Sequence, residues 1–281
     1  MTTISMSALY EKLKDLDPNL TKEYVREQGL PTWWNDECDQ DNDVVLEGAG
    51  HISQRMNVNL LSLLQDERPK FKDAPQGKIK PHHQGAANAP ETAYHVASSV
   101  ATTVARATNL EFKPVPINPQ QIRRKIIKSF GRVSASSLLD YCWEHGIAVV
   151  HFNHYPKGSR EITGMIQRQD DQPVIVLSGG SNYPDLLAFH LAYELSHLAL
   201  DHLKPDKKIL IDSVIDSGSD DPEDQASNQF AMSLLIDTIN DPNRNEGQCA
   251  KSITNSFLAK RLDWEDLSED TVDHLEVILG K

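Results

Sequence analysis

The sequence predicts an α+β protein, in which a small three-stranded sheet and packed helices follow a mainly helical N-terminal region. Of the 281 residues, 39% are hydrophobic and 25% are charged, which is the balance of an ordinary globular protein. Three short apolar runs lie between residues 147 and 177, separated by polar or turn-forming residues, as expected for neighbouring strands. A Leu- and Ala-rich segment then runs from 185 to 202 without Gly or Pro, which is typical of a buried helix.

The charge distribution divides the chain into three parts. Residues 1–66 carry a net charge of −7 and are predicted to form a helical N-terminal region. Residues 67–132 are predicted to be a basic linker followed by helices, with a net charge of +9 over 68–132. Residues 133–281 carry a net charge of −14 and are predicted to form the α+β domain with its C-terminal helices.

The basic middle part has two interpretations. It either neutralises the two acidic parts within one molecule, or it offers a surface to an acidic partner or a nucleic acid. The residues of such a surface would be Lys70, Lys72, Lys78, Lys80, Arg123, Arg124 and Lys125.

The N-terminal region contains two helical patterns over 44–64, joined near Asn57. Their spacing is similar to that of a helix-turn-helix, whose second helix enters the major groove of DNA. The candidate second helix, 59–65, is rich in Leu and has no Arg or Lys to contact phosphates. We therefore predict that the two helices pack against each other, while DNA binding stays open as an alternative.

The remaining elements are predicted from apolar spacing and from the positions of Pro and Gly. Residues 67–90, rich in Pro, Gly, Lys and Gln, are predicted to be a linker or an extended arm. Helices are also predicted over 7–16, 21–28, 91–108, 120–130, 136–145, 185–202, 222–236, 248–258 and 269–279. Strands are predicted over 147–154, 162–169 and 173–177, and 208–215 is either a short strand or an extended loop.

Three sequence features indicate a cytoplasmic protein. The cysteines (Cys38, Cys142 and Cys249) are odd in number and widely spaced, which does not suit a disulfide framework or a Cys-based zinc site. No apolar run approaches the ~20 residues that a membrane helix needs. The N-terminus has no apolar signal-peptide core. We therefore expect no membrane partner.

The helix over 185–202 carries the strongest chemical signal. At 100° per residue, the side chains of His190, Tyr193, Glu194, His197 and Asp201 fall within a narrow arc. A polar stripe on a buried helix is typical of a metal site of the His-Glu-x-x-His kind, in which two His bind Zn²⁺ and the Glu is the general base. Here the pattern reads Tyr-Glu-Leu-Ser-His. Tyr193 therefore stands at the first ligand position, and its phenol, which titrates near ~10, is a poor ligand for Zn²⁺.

Residues 134–240 resemble the ImmA/IrrE family of metallopeptidases. The resemblance rests on the order of helix, three strands and motif helix, on Glu194 and His197, on Leu200-Asp201-His202, and on Asn228-Gln229-Phe230-Ala231. It implies a zincin-like metallopeptidase fold and a zinc site. It also implies site-specific cleavage of a partner protein, often a transcriptional repressor, in stress response or in the control of mobile elements and phage.

The resemblance also implies roles for individual residues. Glu194 would be the catalytic base and His197 a Zn²⁺ ligand. The third ligand would be Asp224, six residues before Phe230, or its neighbour Glu223. Because Tyr193 departs from the pattern, we expect Zn²⁺ binding to be weak or atypical.

An altered metal site is a further hypothesis, which combines the spacing along the helix with the acid that the resemblance implies. His197 and Asp201 are one helical turn apart and with Asp224 would suit Zn²⁺, Mn²⁺ or Fe²⁺. His190 lies ~10.5 Å along the helix axis from His197, too far to share an ion. We expect His190, together with Tyr193 and His202, to line the cleft that contains the metal site rather than to bind the ion.

Three functions stay open at this point. The chain is an active but atypical metallopeptidase, a catalytically inactive peptidase-like module that binds or senses a partner, or a DNA-binding transcriptional regulator with a C-terminal sensory domain. Whether it is an enzyme depends on whether the site still binds a catalytic metal ion with Tyr193 at the first ligand position.

Overall fold

A computed structural model describes residues 4–65, 67–73, 77–80, 91–158, 162–179, 184–203, 208–212, 220–236 and 250–280. The protein is α+β, as predicted, with a mixed sheet between two layers of helices and a helical N-terminal region beside them. Within the described residues, no helix combines the length and the apolar character that crossing a membrane requires.

The sheet has five strands in the order β1-β5-β3-β4-β2. The strands are β1 (Gly77–Lys80), β2 (Ala148–His151), β3 (Gly164–Gln169), β4 (Gln172–Leu177) and β5 (Ile209–Asp212). β3 is antiparallel to both β4 and β5, whereas β1 runs parallel to β5 and β2 runs parallel to β4.

The prediction of three strands is therefore incomplete. β5 lies in the segment for which a strand or a loop was predicted, and β1 lies in the segment predicted to be a linker or an extended arm. A strand of four residues that begins at Gly77 and is followed by Pro81 has little local signal. β1 is a strand because it pairs with β5, from which it is far removed in the sequence.

The helices agree with the predicted elements, except that the helix predicted over 185–202 ends at Ala199 and so leaves out Asp201 and His202. They are α1 (Met6–Leu16), α2 (Lys22–Tyr24, continued by a π-helical turn Val25–Gly29), α3 (Asn42–Arg55), α4 (Leu60–Leu64), α5 (Glu91–Thr108), α6 (Pro119–Phe130), α7 (Ala135–Glu144), α8 (Pro184–Ala199), α9 (Pro222–Leu235), α10 (Ala250–Ala259) and α11 (Glu269–Leu279). The start of the helix predicted over 248–258 lies outside the described residues. Short 3₁₀ turns cover Cys38–Gln40 and Trp264–Asp266.

The two faces of the sheet pack against different helices, because successive side chains of a strand point to opposite faces. On one face, Val149, Ile166 and Leu210 are buried with α6, α7, α8 and α9. On the other face, Val150, Met165 and Ile211 are buried with α5, α10 and α11. Helices α5 and α6, from the basic middle part, thus contribute apolar side chains to the layers around the sheet.

The N-terminal region has its own hydrophobic cluster, formed by α1, α2, α3 and α4. Its contact with the rest of the protein is polar as well as apolar. Arg55, at the end of α3, lies 2.5 Å from Asp273 of α11. Tyr24 donates from its hydroxyl to His154 O over 2.9 Å. These bonds tie the region to the strand β2 and helix α11 side of the domain.

Candidate metal centre

Four residues form one row across the sheet beneath α8. Asp212 of β5 pairs with Gly164 of β3, Gly164 pairs with Leu177 of β4, and Leu177 pairs with His151 of β2. Residues paired in this way direct their side chains to the same face of a sheet. Leu177 is buried with α8, so the row faces that helix. The row has the Asp212 carboxylate at one end and the His151 imidazole at the other, and Gly164, next to Asp212, has no side chain.

Helix α8 crosses this row with its polar stripe. Positions 190, 194 and 197 share one side of a helix because they are spaced by one and two turns. The carboxylate of Glu194 lies against Gly164, and the imidazole of His197 lies against Asp212. The same helix buries Leu191 and Leu195 in the apolar core. α8 is therefore held by its apolar side, while its polar stripe meets the sheet.

Glu194, His197 and Asp212 form a buried cluster of candidate metal ligands. One ligand atom of each residue lies within 4.8 Å of those of the other two, and the residues are 0%, 0% and 2% exposed. His197 Nε2 is 3.3 Å from Asp212 Oδ2, yet it forms no well-aligned hydrogen bond with any described residue. Two carboxylates and an imidazole are costly to bury together unless their charge is compensated. A divalent cation would supply that compensation.

The other ring nitrogen of His197 is held by two neighbours. Nδ1 is 2.8 Å from Nδ1 of His202 and 3.4 Å from Oγ of Ser227 in α9. Because a hydrogen bond between two imidazole nitrogens needs one hydrogen, either His197 or His202 is the donor. When His197 donates, its Nε2 carries the free electron pair that a cation needs. Such a hydrogen bond from the remote nitrogen is usual for a metal-binding His.

Tyr193 is buried beside the cluster and is engaged with α9. Its hydroxyl donates a hydrogen bond to Asp224 Oδ1 over 3.1 Å. Burial raises the pKa of Tyr193 above its usual value, and the Asp212, Asp224 and Glu194 carboxylates raise it further. Tyr193 is therefore a neutral phenol, which donates a hydrogen bond rather than binding a cation as a phenolate.

The structure separates the remaining predicted site residues. Asp201 follows α8 in a left-handed turn with φ 56° and is exposed. Glu223 is half-buried in the first turn of α9, where its backbone N–H is capped by Asp221 over 2.9 Å. Among the described residues, the cluster of candidate ligands consists of Glu194, His197 and Asp212. Asp201, Glu223 and Asp224 are not part of it. The assignment of Asp224 or Glu223 as a ligand stays a prediction.

His190 lines the same side of α8 at the far side of the row. Its ring lies against Gly179, whose carbonyl oxygen accepts a hydrogen bond from His151 Nε2 over 3.0 Å. Burial, with a smaller contribution from His151, lowers the pKa of His190 to about 4. His190 is thus a neutral imidazole near neutral pH, one turn before Glu194.

The predicted basic surface is partly engaged within the molecule. Arg123 donates to Leu234 O over 3.1 Å, and Lys125 lies 3.6 Å from Glu144 and over the ring of Tyr141. The side chains of Lys78 and Lys80 lie outside the described part of the chain. The contact with Glu144 favours internal neutralisation of Lys125, whereas the hydrogen bond to Leu234 O engages Arg123 without neutralising its charge.

Sequence reasoning missed Asp212 and Gly164. A signal was present for Asp212, because it is an acid that directly follows the buried apolar run Ile209–Ile211. Its position next to His197 depends on the register between β5 and β3, which no local pattern reveals. Gly164 had no signal, since an isolated Gly at the start of a strand has many explanations.

The donor set of the cluster fits a divalent cation. One imidazole and two carboxylates match the ligands of Zn²⁺, Mn²⁺ and Fe²⁺, and the His197 ring is oriented from its remote nitrogen. Glu194 and His197 are supplied by one rigid helix, and Asp212 by the end of a paired strand. The three side chains thus fit a divalent cation both in their ligand atoms and in their positions on the helix and the strand.

No family model matches the chain, and no curated protein and no solved structure matches it either.

Proposed function

We propose that the chain is a metallopeptidase-like protein of the ImmA/IrrE type with an altered metal site, acting on a partner protein such as a transcriptional repressor in stress response or in the control of mobile elements and phage. One observation carries the proposal: α8 brings Glu194 and His197 to Asp212 at ligand distance in a buried site. A zincin-like fold is part of the proposal. It is supported by the position of α8 across a mixed sheet and by its packing against α9.

In this proposal Glu194, His197 and Asp212 hold one divalent cation, with Zn²⁺ as the first candidate. When bound, such an ion supplies Lewis acidity and compensates the two buried carboxylates. The other residues act through hydrogen bonds. His202 fixes the orientation of His197, and Tyr193 holds Asp224 in the first turn of α9.

The role that the geometry supports best is recognition of the partner without turnover. Tyr193 stands at the first ligand position as a neutral donor, and Asp224 is engaged with it. A Glu194 carboxylate that binds the cation is not available as a general base. The three ligand residues are almost inaccessible to solvent, which does not suit the entry of a peptide bond. The cation would then stabilise the arrangement of α8, β5 and the surface around them.

Cleavage of the partner is a second candidate function, and one observation favours it. Glu194 and His197 keep the relative positions of base and ligand in the His-Glu-x-x-His pattern, and both lie in the site. In that case His197 and Asp212 would hold the cation. Glu194 would take the proton of the attacking water and later deliver it to the leaving amine.

Co-expression of the tagged chain with a candidate repressor tests the proposal. We expect the repressor to co-purify intact with the wild-type chain, and to stay intact but be recovered in smaller amount with Glu194→Gln, because Glu194 is one of the proposed ligands. We expect its recovery to fall at least about tenfold with His197→Ala, a loss of about 1.4 kcal/mol. Gly50→Ala is the matched control, because a Cβ atom at Gly50 meets nothing within 4 Å.

Two results would change the conclusion. A repressor that is cut by the wild-type chain but not by Glu194→Gln would establish the second candidate in place of the first. Equal recovery of intact repressor with wild type and His197→Ala would show that the buried cluster has no part in the function.

A further inference from the structure

Gly164 lies directly beneath the carboxylate of Glu194. A Cβ atom at residue 164 would overlap Glu194 Oε1, and it would lie 2.8 Å from Cδ and 3.2 Å from Cγ of the same side chain. Gly164 is a strand residue, and it is not among the described glycines with positive φ. The backbone therefore does not require glycine there. The requirement comes from the space that Glu194 occupies.

Gly164 is also the direct partner of Asp212 in the sheet. Because paired residues project to the same face, the space left by the missing side chain lies beside the Asp212 carboxylate. The Glu194 carboxylate enters this space from α8. This is how two carboxylates from a helix and a strand come within 4.8 Å of each other, next to His197.

We propose that Gly164 is a positioning residue for the cation site: its missing side chain admits the Glu194 carboxylate to the sheet beside Asp212 and so completes the cluster with His197. The cation-binding consequence rests on the proposed function, whereas the steric fit between Gly164 and Glu194 does not. Ala at residue 164 turns the carboxylate of Glu194 away. His197 and Asp212 are then left as a two-ligand site.

A calorimetric titration of the metal-free full chain with Zn²⁺ tests whether cation binding depends on Gly164. We expect Gly164→Ala to weaken Zn²⁺ binding at least about tenfold relative to wild type. Gly50→Ala is the control for the added methyl group, and we expect it to bind Zn²⁺ as wild type does, since its Cβ atom has open space.

A comparison of melting temperatures in the absence of metal tests the steric fit itself. We expect Gly164→Ala to lower Tm by at least about 5 °C in the wild-type background and by less than about 2 °C in the Glu194→Ala background. The second background removes the atoms that the new Cβ would meet, so it distinguishes a clash with Glu194 from a general intolerance of Ala in β3.

Each outcome decides one of the two claims. Zn²⁺ binding that is equal in wild type and Gly164→Ala overturns the positioning role and leaves the proposed function standing. A wild-type chain that binds no Zn²⁺ overturns the cation site. The two Tm differences then still decide the steric claim, which fails when Ala at residue 164 has the same effect in both backgrounds.

Discussion

The hydroxyl of Tyr193 donates a hydrogen bond to Asp224, joining the middle of α8 to the first turn of α9. In the pattern that the sequence resembles, the position of Tyr193 supplies a metal ligand, and Asp224 is one of the two acids expected, with Glu223, as the third ligand. Here a neutral phenol and a carboxylate satisfy each other instead, and the buried carboxylates around Tyr193 raise its pKa and keep it protonated. The candidate ligand cluster is displaced toward the sheet, where Asp212 joins Glu194 and His197.

We predict that Tyr193→His strengthens Zn²⁺ binding at least about tenfold, because it adds an imidazole one turn before His197 and beside Asp224. Calorimetric titration of the metal-free protein measures this. Tyr193→Phe is the control: it removes the hydrogen bond to Asp224 without adding a ligand. We expect Tyr193→Phe to bind Zn²⁺ like wild type and to lose about 1.5–3 kcal/mol of stability. Equal affinity of Tyr193→His and wild type would show that residue 193 does not face the cation.

We predict that the protein loses stability as the pH falls from about 6.5 toward 4, partly through His274. Burial is the main cause that lowers the pKa of His274 to about 3, and its Nδ1 is 3.0 Å from the Thr103 hydroxyl. Below its unfolded pKa of about 6.5, the unfolded chain binds a proton that the folded chain does not.

Urea unfolding at several pH values measures the contribution of His274. The free energy of unfolding should fall more steeply with decreasing pH in wild type than in His274→Gln, by up to about 1.4 kcal/mol per pH unit. Burial likewise lowers the pKa of His95 to about 4, so His274→Gln should keep a smaller slope. Parallel pH profiles for the two proteins would show that His274 is not held neutral.

We predict that Asp273→Ala destabilises the protein by about 3–5 kcal/mol, because it removes the carboxylate that faces the buried Arg55 guanidinium. Glu265→Ala, an exposed carboxylate in the preceding turn, is the control and should stay within about 0.5 kcal/mol of wild type. Chemical unfolding of both variants measures the difference. A loss for Asp273→Ala no larger than that of the control would mean that this pair does not fasten the N-terminal region to α11.

The same pair has a defined pH dependence. Burial raises the pKa of Asp273, but hydrogen bonds from Thr32 and Arg55 outweigh this effect and hold the pKa below its usual range. The stabilisation is therefore present above the unfolded pKa of about 3.9 and is lost as the pH falls through the lower folded value.

The sequence predicted the helices and the chemistry of α8 more readily than it predicted the complete site. Apolar spacing and caps are local, which is why α5 and α11 begin and end as predicted. The partners of α8 are not local. Asp212 reaches His197 through the pairing of β5 with β3, and β1 becomes a strand by pairing with β5. Such register depends on contacts between distant segments, which one sequence does not display.

We predict that the full-length chain does not bind duplex DNA. Its net charge is −13, and α4, which corresponds to the second helix of the candidate helix-turn-helix, exposes Leu60 and Leu61 in place of basic side chains. Fluorescence anisotropy of labelled duplex DNA at about 10 µM protein checks this, with salt varied because phosphate contacts weaken as salt rises. Binding that decreases with salt would instead favour the regulator function.

Zn²⁺ titration of the metal-free wild-type chain and of three single variants tests the central claim most directly. We predict one Zn²⁺ per wild-type chain and an affinity at least about tenfold lower in His197→Ala and in Asp212→Asn. Glu223→Gln should bind as wild type does, because Glu223 lies in the first turn of α9 and is not part of the cluster. A wild-type chain that binds no Zn²⁺, or an affinity lowered by Glu223→Gln and unchanged by Asp212→Asn, would contradict the account.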